Sequence, residues 1–164
     1  MTFRIRETTP RDWPAIWPIV REVVVAADTF AYDPEMTEDE GRALWMVASP
    51  GRTTVAVDGT AVSGTANMYA NHAGPGAHVA SANFMVARAA RDRGVGRALV
   101  EDALSWARAA GFRAMQFNAV AETNAAAVAL YRSLGFSIVG TVPEAFDHPE
   151  HGLVGLHIMH LKLQ

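Results

Sequence analysis

Residues 83–110 form a strand pattern, a basic turn and a helix pattern, and this succession constrains the fold more than any other part of the chain. The strand is indicated by the short apolar run at 83–86, which small and polar residues end. Three arginines follow, namely Arg88, Arg91 and Arg93. Gly94 and Gly96 open the last part, where apolar residues recur at the spacing of an amphipathic helix. We therefore expect the chain to leave a sheet through this turn and enter a helix with one buried face.

The basic turn also has the chemistry of a phosphate site. The first turn of a helix carries unpaired backbone N–H groups and partial positive charge. Glycine lets the backbone come close to a ligand, and the neighbouring arginines add full charge. The pattern therefore predicts a cradle for phosphate, and it favours a pyrophosphate. Glycines at such a junction can also serve the turn geometry alone.

Composition narrows the class of protein. The 164 residues are half apolar and 19% charged, with a net charge of −3, which is typical of one soluble domain spanning 1–164 and does not indicate a nucleic-acid surface. The absence of cysteine excludes disulfides and a cysteine nucleophile. The longest tight apolar run, Val23–Ala27, is too short for a membrane span, and Met1–Glu7 lacks the apolar core of a signal peptide. We expect a cytoplasmic protein without a membrane partner.

The other segments divide into strand and helix patterns. Strands are predicted at 3–6, 53–57, 61–69, 78–86, 112–120, 136–142 and 154–163, and helices from Asp12, from Glu38 to about Ala48, from Gly96 and from Asn124. Asp12 is expected to cap the first helix, and Pro18 to kink or split it. The buried face of this helix is predicted at Ile16, Ile19, Val20, Val23 and Val24, and residues 37–40 are predicted to be a capping box for the second helix. Asp58 and Gly59 are expected to make a hairpin turn, and 143–152 a loop. The strands at 53–57, 61–69 and 78–86 are predicted to form an antiparallel meander. This order favours an α/β or α+β domain with a mixed sheet.

Two motifs resemble the GNAT superfamily of N-acetyltransferases. The first is Arg91-x-x-Gly94-x-Gly96, which is similar to the acyl-CoA pyrophosphate loop of these enzymes. The second lies within Asn124–Phe136, where an asparagine is followed by the sequence LYxxLGF. The resemblance covers essentially the whole chain. It implies the GNAT fold, a mixed, V-splayed central sheet of about seven strands flanked by about four helices.

The resemblance implies acetyl-CoA as the cosubstrate and no metal. The pantetheine arm would enter the splay between the strands at 83–86 and 116–120, where it would pair with strand backbone as an added strand. The pyrophosphate would accept N–H bonds from residues 93–98. The cofactor-binding residues implied in this way are Phe84, Met85, Val86, Arg91, Arg93, Gly94, Val95, Gly96, Arg97, Ala98, Asn118, Asn124, Ala127 and Tyr131. A purely structural role as helix cap is equally compatible with Asn124.

Catalysis of acetyl transfer requires a neutral amine, donors for the oxyanion and a proton for the thiolate. The resemblance implies that Asn83 polarises the acetyl carbonyl or holds the substrate, and that Tyr131 is the acid. The alternative for Tyr131 is a packing role in the core. The Val86 N–H is a second expected oxyanion donor. No base stands out, and the candidates are water, Asp33, Glu35, His72 and His78.

A closer likeness is to GNAT enzymes that acetylate small amino or imino acids, such as proline-analogue and phosphinothricin-type acetyltransferases. Residues 29–40, 117–118, 123–124 and 139–155 carry it. It implies a small-molecule amine as partner, bound by Phe30, Tyr32, Asn83 and Asn118. The two aromatic residues can instead be packing residues.

Other functions stay open at this point. A non-catalytic acyl-CoA-binding regulatory module would share the phosphate loop, and a protein or peptide N-acetyltransferase would share the chemistry. A homodimer is also open. The histidines His148, His151, His157 and His160 make no coherent metal-ligand set, since the last two face opposite sides of a strand.

Overall fold

Seven strands form one mixed sheet, and four α-helices pack on its faces, in the computed structural model of residues 3–164. Met1 and Thr2 lie outside the described residues. The predicted domain 1–164 and the segment Met1–Glu7, for which no signal peptide was predicted, both include these two residues. The strands are β1 (Arg4–Glu7), β2 (Arg52–Asp58), β3 (Ala61–Ala70), β4 (Val79–Val86), β5 (Ala114–Ala121), β6 (Ser137–His148) and β7 (Gly152–Lys162). The helices are α1 (Trp13–Ala26), α2 (Glu38–Trp45), α3 (Val95–Ala109) and α4 (Ala125–Ser133). The predicted mixed sheet with about four flanking helices is confirmed.

The strand order is β1-β2-β3-β4-β5-β7-β6, and every neighbouring pair is antiparallel except β4 and β5. The predicted meander of three antiparallel strands is thus β2-β3-β4. Its first turn differs slightly from the prediction, because Asp58 pairs with Ala61 and the turn residues are Gly59 and Thr60. Gly59 has φ +61°, a left-handed conformation that suits glycine.

Two hydrophobic clusters cover opposite faces of this sheet. In one, α3 packs on Ala66, Met68 and Ala82. In the other, α1 and Trp45 pack on Val55 and Met85. Because side chains alternate along a strand, even-numbered residues of β4 face α3 and odd-numbered residues face α1. The sheet therefore divides the molecule into an α3 face and an α1 face.

The first helix follows the predicted pattern on its buried side. The predicted buried residues are all confirmed, namely Ile16, Ile19, Val20, Val23 and Val24. The helix is not split at Pro18, which is exposed on the opposite side. The predicted cap is wrong, because the side chain of Asp12 makes no cap bond to α1. It accepts instead from Arg6 (2.7 Å), and this partner lowers the pKa of Asp12 to about 2.

The predicted loop at 143–152 is wrong in its first half. β6 continues through Pro143 to His148, and its pairing with β7 shifts register between Val142 and Phe146. Proline cannot donate to the ladder, and a bulge lets a strand pass such a residue. Glu144 takes a left-handed φ of +52° at this bulge. The longer hairpin brings His148 to a cleft between β4 and β5.

The second helix begins at its predicted residue and ends before its predicted end. The capping box of Thr37 and Glu40 is present, but α2 ends at Trp45, three residues before the predicted end at Ala48.

No helix within residues 3–164 combines the length and the apolar character that crossing a membrane requires.

Candidate active site

A gap in the sheet opens a cleft between β4 and β5. β4 and β5 pair at two positions only in the described chain, Val79 with Ala114 and Ala80 with Met115. Beyond these positions β4 and β5 are no longer paired with each other. A cleft of about 650 Å³ lies between residues 81–86 and 117–121. Parallel strands that separate leave backbone groups unpaired, so the gap can take an extended ligand as an added strand.

The hydrogen-bond pattern of β4 determines which backbone groups face this gap. The Ala87 N–H donates to the Ser63 carbonyl (2.9 Å), so this is a bonded pair of the antiparallel ladder with β3. Bonded and non-bonded pairs alternate along such a ladder. The backbone of Met85 is therefore turned toward β3, while the N–H and C=O of Phe84 and Val86 are turned toward the gap. Of the three residues predicted to pair with pantetheine, these two have the required direction.

The predicted phosphate cradle lies at one end of the cleft. Gly94 precedes α3 with φ +83°, where any other residue is strained. The Ala98 N–H donates to the Gly94 carbonyl (3.1 Å), so the helical ladder begins there and the earlier amides remain as donors at the helix end. Ala98 thus differs from the prediction, since its N–H is already used. Cleft-lining residues here are Arg91, Gly94, Val95, Gly96 and Arg97.

The arginines of the turn take different directions. Arg91 and Arg97 line the cleft. The Arg93 side chain instead pairs with Asp58 (3.0 Å) and lies over the Phe3 ring at 5.8 Å. It holds the turn against β2 and the N-terminal segment, so the sequence prediction of a phosphate-binding side chain at Arg93 is not supported by its placement. Its backbone remains part of the turn.

An aromatic cluster forms the wall of the cleft on the α3 face. Tyr131 from α4 lies 4.5 Å from the Phe117 ring, 5.9 Å from Phe136 and 6.3 Å from Phe84, measured between ring centroids. Burial raises the pKa of the Tyr131 phenol. The hydroxyl therefore stays protonated and can act as a hydrogen-bond donor at neutral pH.

The start of α4 adds polar groups to the same wall. Asn124 caps the helix, as predicted, by accepting from the Ala127 N–H (3.3 Å). Both residues line the cleft, and so does Thr123. The Thr123 Oγ1 is buried without a hydrogen-bond partner in the described chain. A buried hydroxyl without a partner is unusual in folded proteins, and it indicates a position that a bound ligand or water satisfies.

The α1 face of the cleft has a different lining. Asn83 donates to Asn67 Oδ1 and to the Tyr69 hydroxyl, both at 3.0 Å. Phe30 and Tyr32 pack against each other with ring centroids 5.3 Å apart, and both line the cleft. Burial raises the pKa of Tyr32 to about 12, and the neighbouring Tyr69 adds to this. This wall is thus aromatic and hydrogen-bonding.

Asn118 also belongs to the α1 face. It exchanges hydrogen bonds with Asn71 (2.7 and 3.4 Å) and accepts from Gln116 (3.0 Å). The bonds with Asn71 join the residue that follows β3 to β5. Asn118 was predicted to bind both the cofactor and the substrate. Its position on the α1 face is consistent with the predicted substrate role.

The predicted base candidates do not enter the cleft. Within residues 3–164 the lining excludes Asp33, Glu35, His72 and His78. The carboxylate and imidazole groups that line it are Asp28, Asp92 and His148, which the sequence analysis did not propose as site residues. No local pattern marked them, since each enters the cleft from a different segment.

His148 has a defined tautomer. Its Nδ1 accepts from the backbone N–H groups of Glu150 (3.1 Å) and His151 (3.2 Å). An N–H group can only donate, so the neutral ring carries its proton on Nε2. His148 is therefore a donor as placed and not a base. In the part of the chain that the structure describes, no three His, Cys, Asp or Glu side chains are placed to hold a metal ion.

The cleft as a whole has a helix N-terminus at one end and openings on both faces of the sheet. Its donors suit an anionic group, its exposed strand backbone suits an amide-containing arm, and its α1 face suits a second, small molecule. These features match the predicted binding of acetyl-CoA through its pyrophosphate and pantetheine.

The sequence and the fold are similar to those of known proteins. A model of the acetyltransferase (GNAT) family matches residues 12–136. A solved GCN5-related N-acetyltransferase from Kribbella flavida is 61% identical, covers 98% of both chains and superposes with a TM-score of 0.96. A GNAT superfamily phosphinothricin acetyltransferase from Sinorhizobium meliloti, solved in complex with AcCoA, is 25% identical, with a TM-score of 0.86 over 99% of this chain and 89% of its own.

A sequence relative matches a shorter part of the chain. The N-acetyltransferase aca1 of Schizosaccharomyces pombe is 30% identical over 98 residues, which are 59% of this chain and 47% of aca1. The chain therefore matches about half the length of that relative.

Proposed function

The chain belongs to the acetyltransferase (GNAT) family, and we propose that it transfers an acetyl group from acetyl-CoA to the amine of a small molecule, an amino or imino acid or an analogue of one. Residues 1–164 act as one catalytic domain in this proposal. The observation that carries it is the cleft through the sheet, which joins a helix N-terminus to a hydrogen-bonding wall on the α1 face. Two substrates can therefore meet in the gap.

Acetyl-CoA binding follows from the α3 end of the cleft. The amides of residues 94–97 and the side chain of Arg91 hold the pyrophosphate. Hydrogen bonds to charged groups contribute about 1.5–3 kcal/mol each. The pantetheine amides pair with the backbone of Phe84 and Val86, and Thr123 and Asn124 lie beside this arm. The acetyl group then lies in the gap, within reach of both faces.

The transfer forms one C–N bond and breaks one C–S bond. A neutral amine attacks the thioester carbonyl carbon, and the Val86 N–H, which is turned toward the gap, donates to the oxyanion. The C–S bond then breaks and the CoA thiolate leaves. An ordinary alkyl amine has a pKa of about 10.4 and enters mostly as ammonium, so water first accepts one proton to give the neutral amine. After the attack, water accepts a second proton from the nitrogen of the tetrahedral intermediate, and the thiolate takes up one proton from solvent. The products are the N-acetyl compound, free CoA thiol and one proton released to solvent.

Tyr131 assists the leaving group in this proposal. Its raised pKa means that the phenol holds its proton more tightly than a thiol, whose pKa is about 8.5. The phenol therefore donates a hydrogen bond to the sulfur, and the final proton comes from solvent. This refines the acid role that the resemblance implied.

A screen of thiol release from acetyl-CoA tests the function. The acceptors are amino acids, imino acids, phosphinothricin-like compounds, polyamines and a short peptide. We expect turnover with amino or imino acids. Turnover with the peptide alone would instead establish a peptide acetyltransferase, and acetyl-CoA binding without turnover on any acceptor would establish a binding module.

Tyr131→Phe is expected to lower kcat about 10- to 100-fold, the worth of one hydrogen bond to a charged group. The phenyl ring keeps the contacts with Phe84, Phe117 and Phe136, so KM should change less than kcat. Steady-state kinetics with the best acceptor of the screen measure both constants. Thr141→Val is the control, because it removes a hydroxyl on β6 that does not line the cleft. An unaltered kcat in Tyr131→Phe would remove the leaving-group role.

A further inference from the structure

We infer that Tyr69 and Asn83 form one recognition pair for an amine that carries a neighbouring carboxylate. Asn83 Oδ1 accepts the N–H of the amine, the Tyr69 hydroxyl donates to the carboxylate, and Asn67 positions the pair. The inference rests on the proposed function and names the acceptor class within it, an α-amino or α-imino acid. It also assigns Asn83 to the acceptor rather than to the acetyl oxyanion.

The orientation of Asn67 follows from a buried carbonyl. The Asn67 amide nitrogen lies 3.1 Å from the carbonyl oxygen of Trp45, and Asn67 is 2% exposed. A carbonyl oxygen only accepts, so the NH2 end of Asn67 must face it. The Oδ1 end of Asn67 must then face the opposite way, toward Asn83.

This orientation passes to Asn83. The Asn83 nitrogen lies 3.0 Å from Asn67 Oδ1, which can only accept, and 3.0 Å from the Tyr69 hydroxyl. Both amide hydrogens of Asn83 are therefore engaged by the protein. Its Oδ1 is the group left for a ligand in the cleft, which Asn83 lines. An acceptor at this position cannot stabilise an oxyanion, and it suits the N–H of a neutral amine.

Tyr69 is directed by the same chain of bonds. Its oxygen accepts from Asn83, so its own hydrogen remains to be donated. Tyr69 lines the cleft, on the same face as Tyr32 and Phe30. The Tyr69 donor thus lies 3.0 Å from the amide nitrogen of Asn83, and the acceptor Oδ1 belongs to the same amide group. An amine and a carboxylate on the same carbon present the complementary pair, whereas a simple amine satisfies only half of it.

Matched pairs of acceptors test this inference. L-proline is compared with pyrrolidine, and L-methionine with 3-(methylthio)propylamine, so that only the carboxylate differs. We expect the wild-type protein to favour the acid in kcat/KM. In Tyr69→Phe this preference should fall roughly 10- to 100-fold, the worth of one hydrogen bond to a charged group, mainly through KM. Thr141→Val, which removes a hydroxyl on β6 outside the cleft lining, should keep the preference.

Asn67→Ala tests the positioning role. Without Asn67 the Asn83 amide can rotate, so KM should rise for acids and simple amines alike, while the affinity for acetyl-CoA stays at the wild-type value. Asn67→Asp retains an acceptor for the Asn83 amide, and its KM should lie between wild type and Asn67→Ala. Thermal unfolding of each variant checks that it folds.

Calorimetry separates the two levels of the proposal. The four compounds are titrated into protein saturated with CoA, a measurement that needs no turnover. Acid binding that Tyr69→Phe weakens, without any acetyl transfer, would support the inference and refute the proposed function. Transfer that does not distinguish acids from amines would refute the inference alone, and neither binding nor transfer would refute both.

Discussion

Gly94→Asp is expected to abolish acetyl-CoA binding, with a dissociation constant raised at least about 100-fold because several hydrogen bonds to charged oxygens are lost together. The new carboxylate would lie at the N-terminus of α3, where the phosphates are held, and it would repel them. The backbone adds a second cost, since Gly94 has φ +83°, which an aspartate adopts only with strain. Calorimetric titration of acetyl-CoA measures the effect.

The other end of the same helix provides the matched control. Gly111 follows α3 with φ +86°, and a Cβ added there meets no atom within 4 Å, as at Gly94. Gly111→Asp therefore introduces the same residue with similar strain, away from the cleft, and should bind acetyl-CoA like wild type. Gly94→Ala separates strain from charge and should retain part of the affinity. Wild-type affinity in Gly94→Asp would refute the phosphate site.

Gly64→Val is expected to reduce the free energy of unfolding by about 1–3 kcal/mol through overpacking. A Cβ on Gly64 would lie 2.9 Å from Val95 Cγ1, 3.1 Å from Leu99 Cδ1 and 3.1 Å from the carbonyl oxygen of Met85. Val95 is the first residue of α3, so we expect relief of the clash to displace the helix start where the phosphates are proposed to bind. Acetyl-CoA affinity should therefore fall together with stability.

Gly140→Val serves as the control for this substitution. Gly140 also lies in a strand, and a Cβ there meets nothing within 4 Å. Chemical denaturation should give a free energy of unfolding within about 0.5 kcal/mol of wild type, as for most surface changes. Equal stabilities of the Gly64 and Gly140 variants would show that α3 does not pack on β3 as described.

The glycine turn before α3 illustrates what was predictable from the chain alone. Gly94 takes the positive φ that its position before a helix suggested, and the apolar spacing of α3 matches its buried face. The capping box at Thr37 and the buried stripe of α1 were found in the same way. These features depend on contacts a few residues apart, so the order of residues is sufficient to indicate them.

Local rules failed where a distant partner decides the outcome. Asp12 was expected to cap α1, but Arg6 on β1 takes its carboxylate. Pro143 was expected to end a strand, but pairing with β7 carries β6 past it through a bulge. In both cases a tertiary contact outweighs a weak local preference.

The sequence by itself determined the family, the order of the strands and helices, the glycine turn before α3 and four aromatic residues of the cleft, namely Phe30, Tyr32, Phe84 and Tyr131. The tertiary structure alone decided where β4 and β5 part, which backbone groups face the gap, and that Asn67 and Tyr69 direct Asn83. It also decided that His148 enters the cleft while the expected bases stay outside it. The physical reason is that strand register and side-chain hydrogen bonds join residues far apart in the chain, and no local periodicity encodes such pairs.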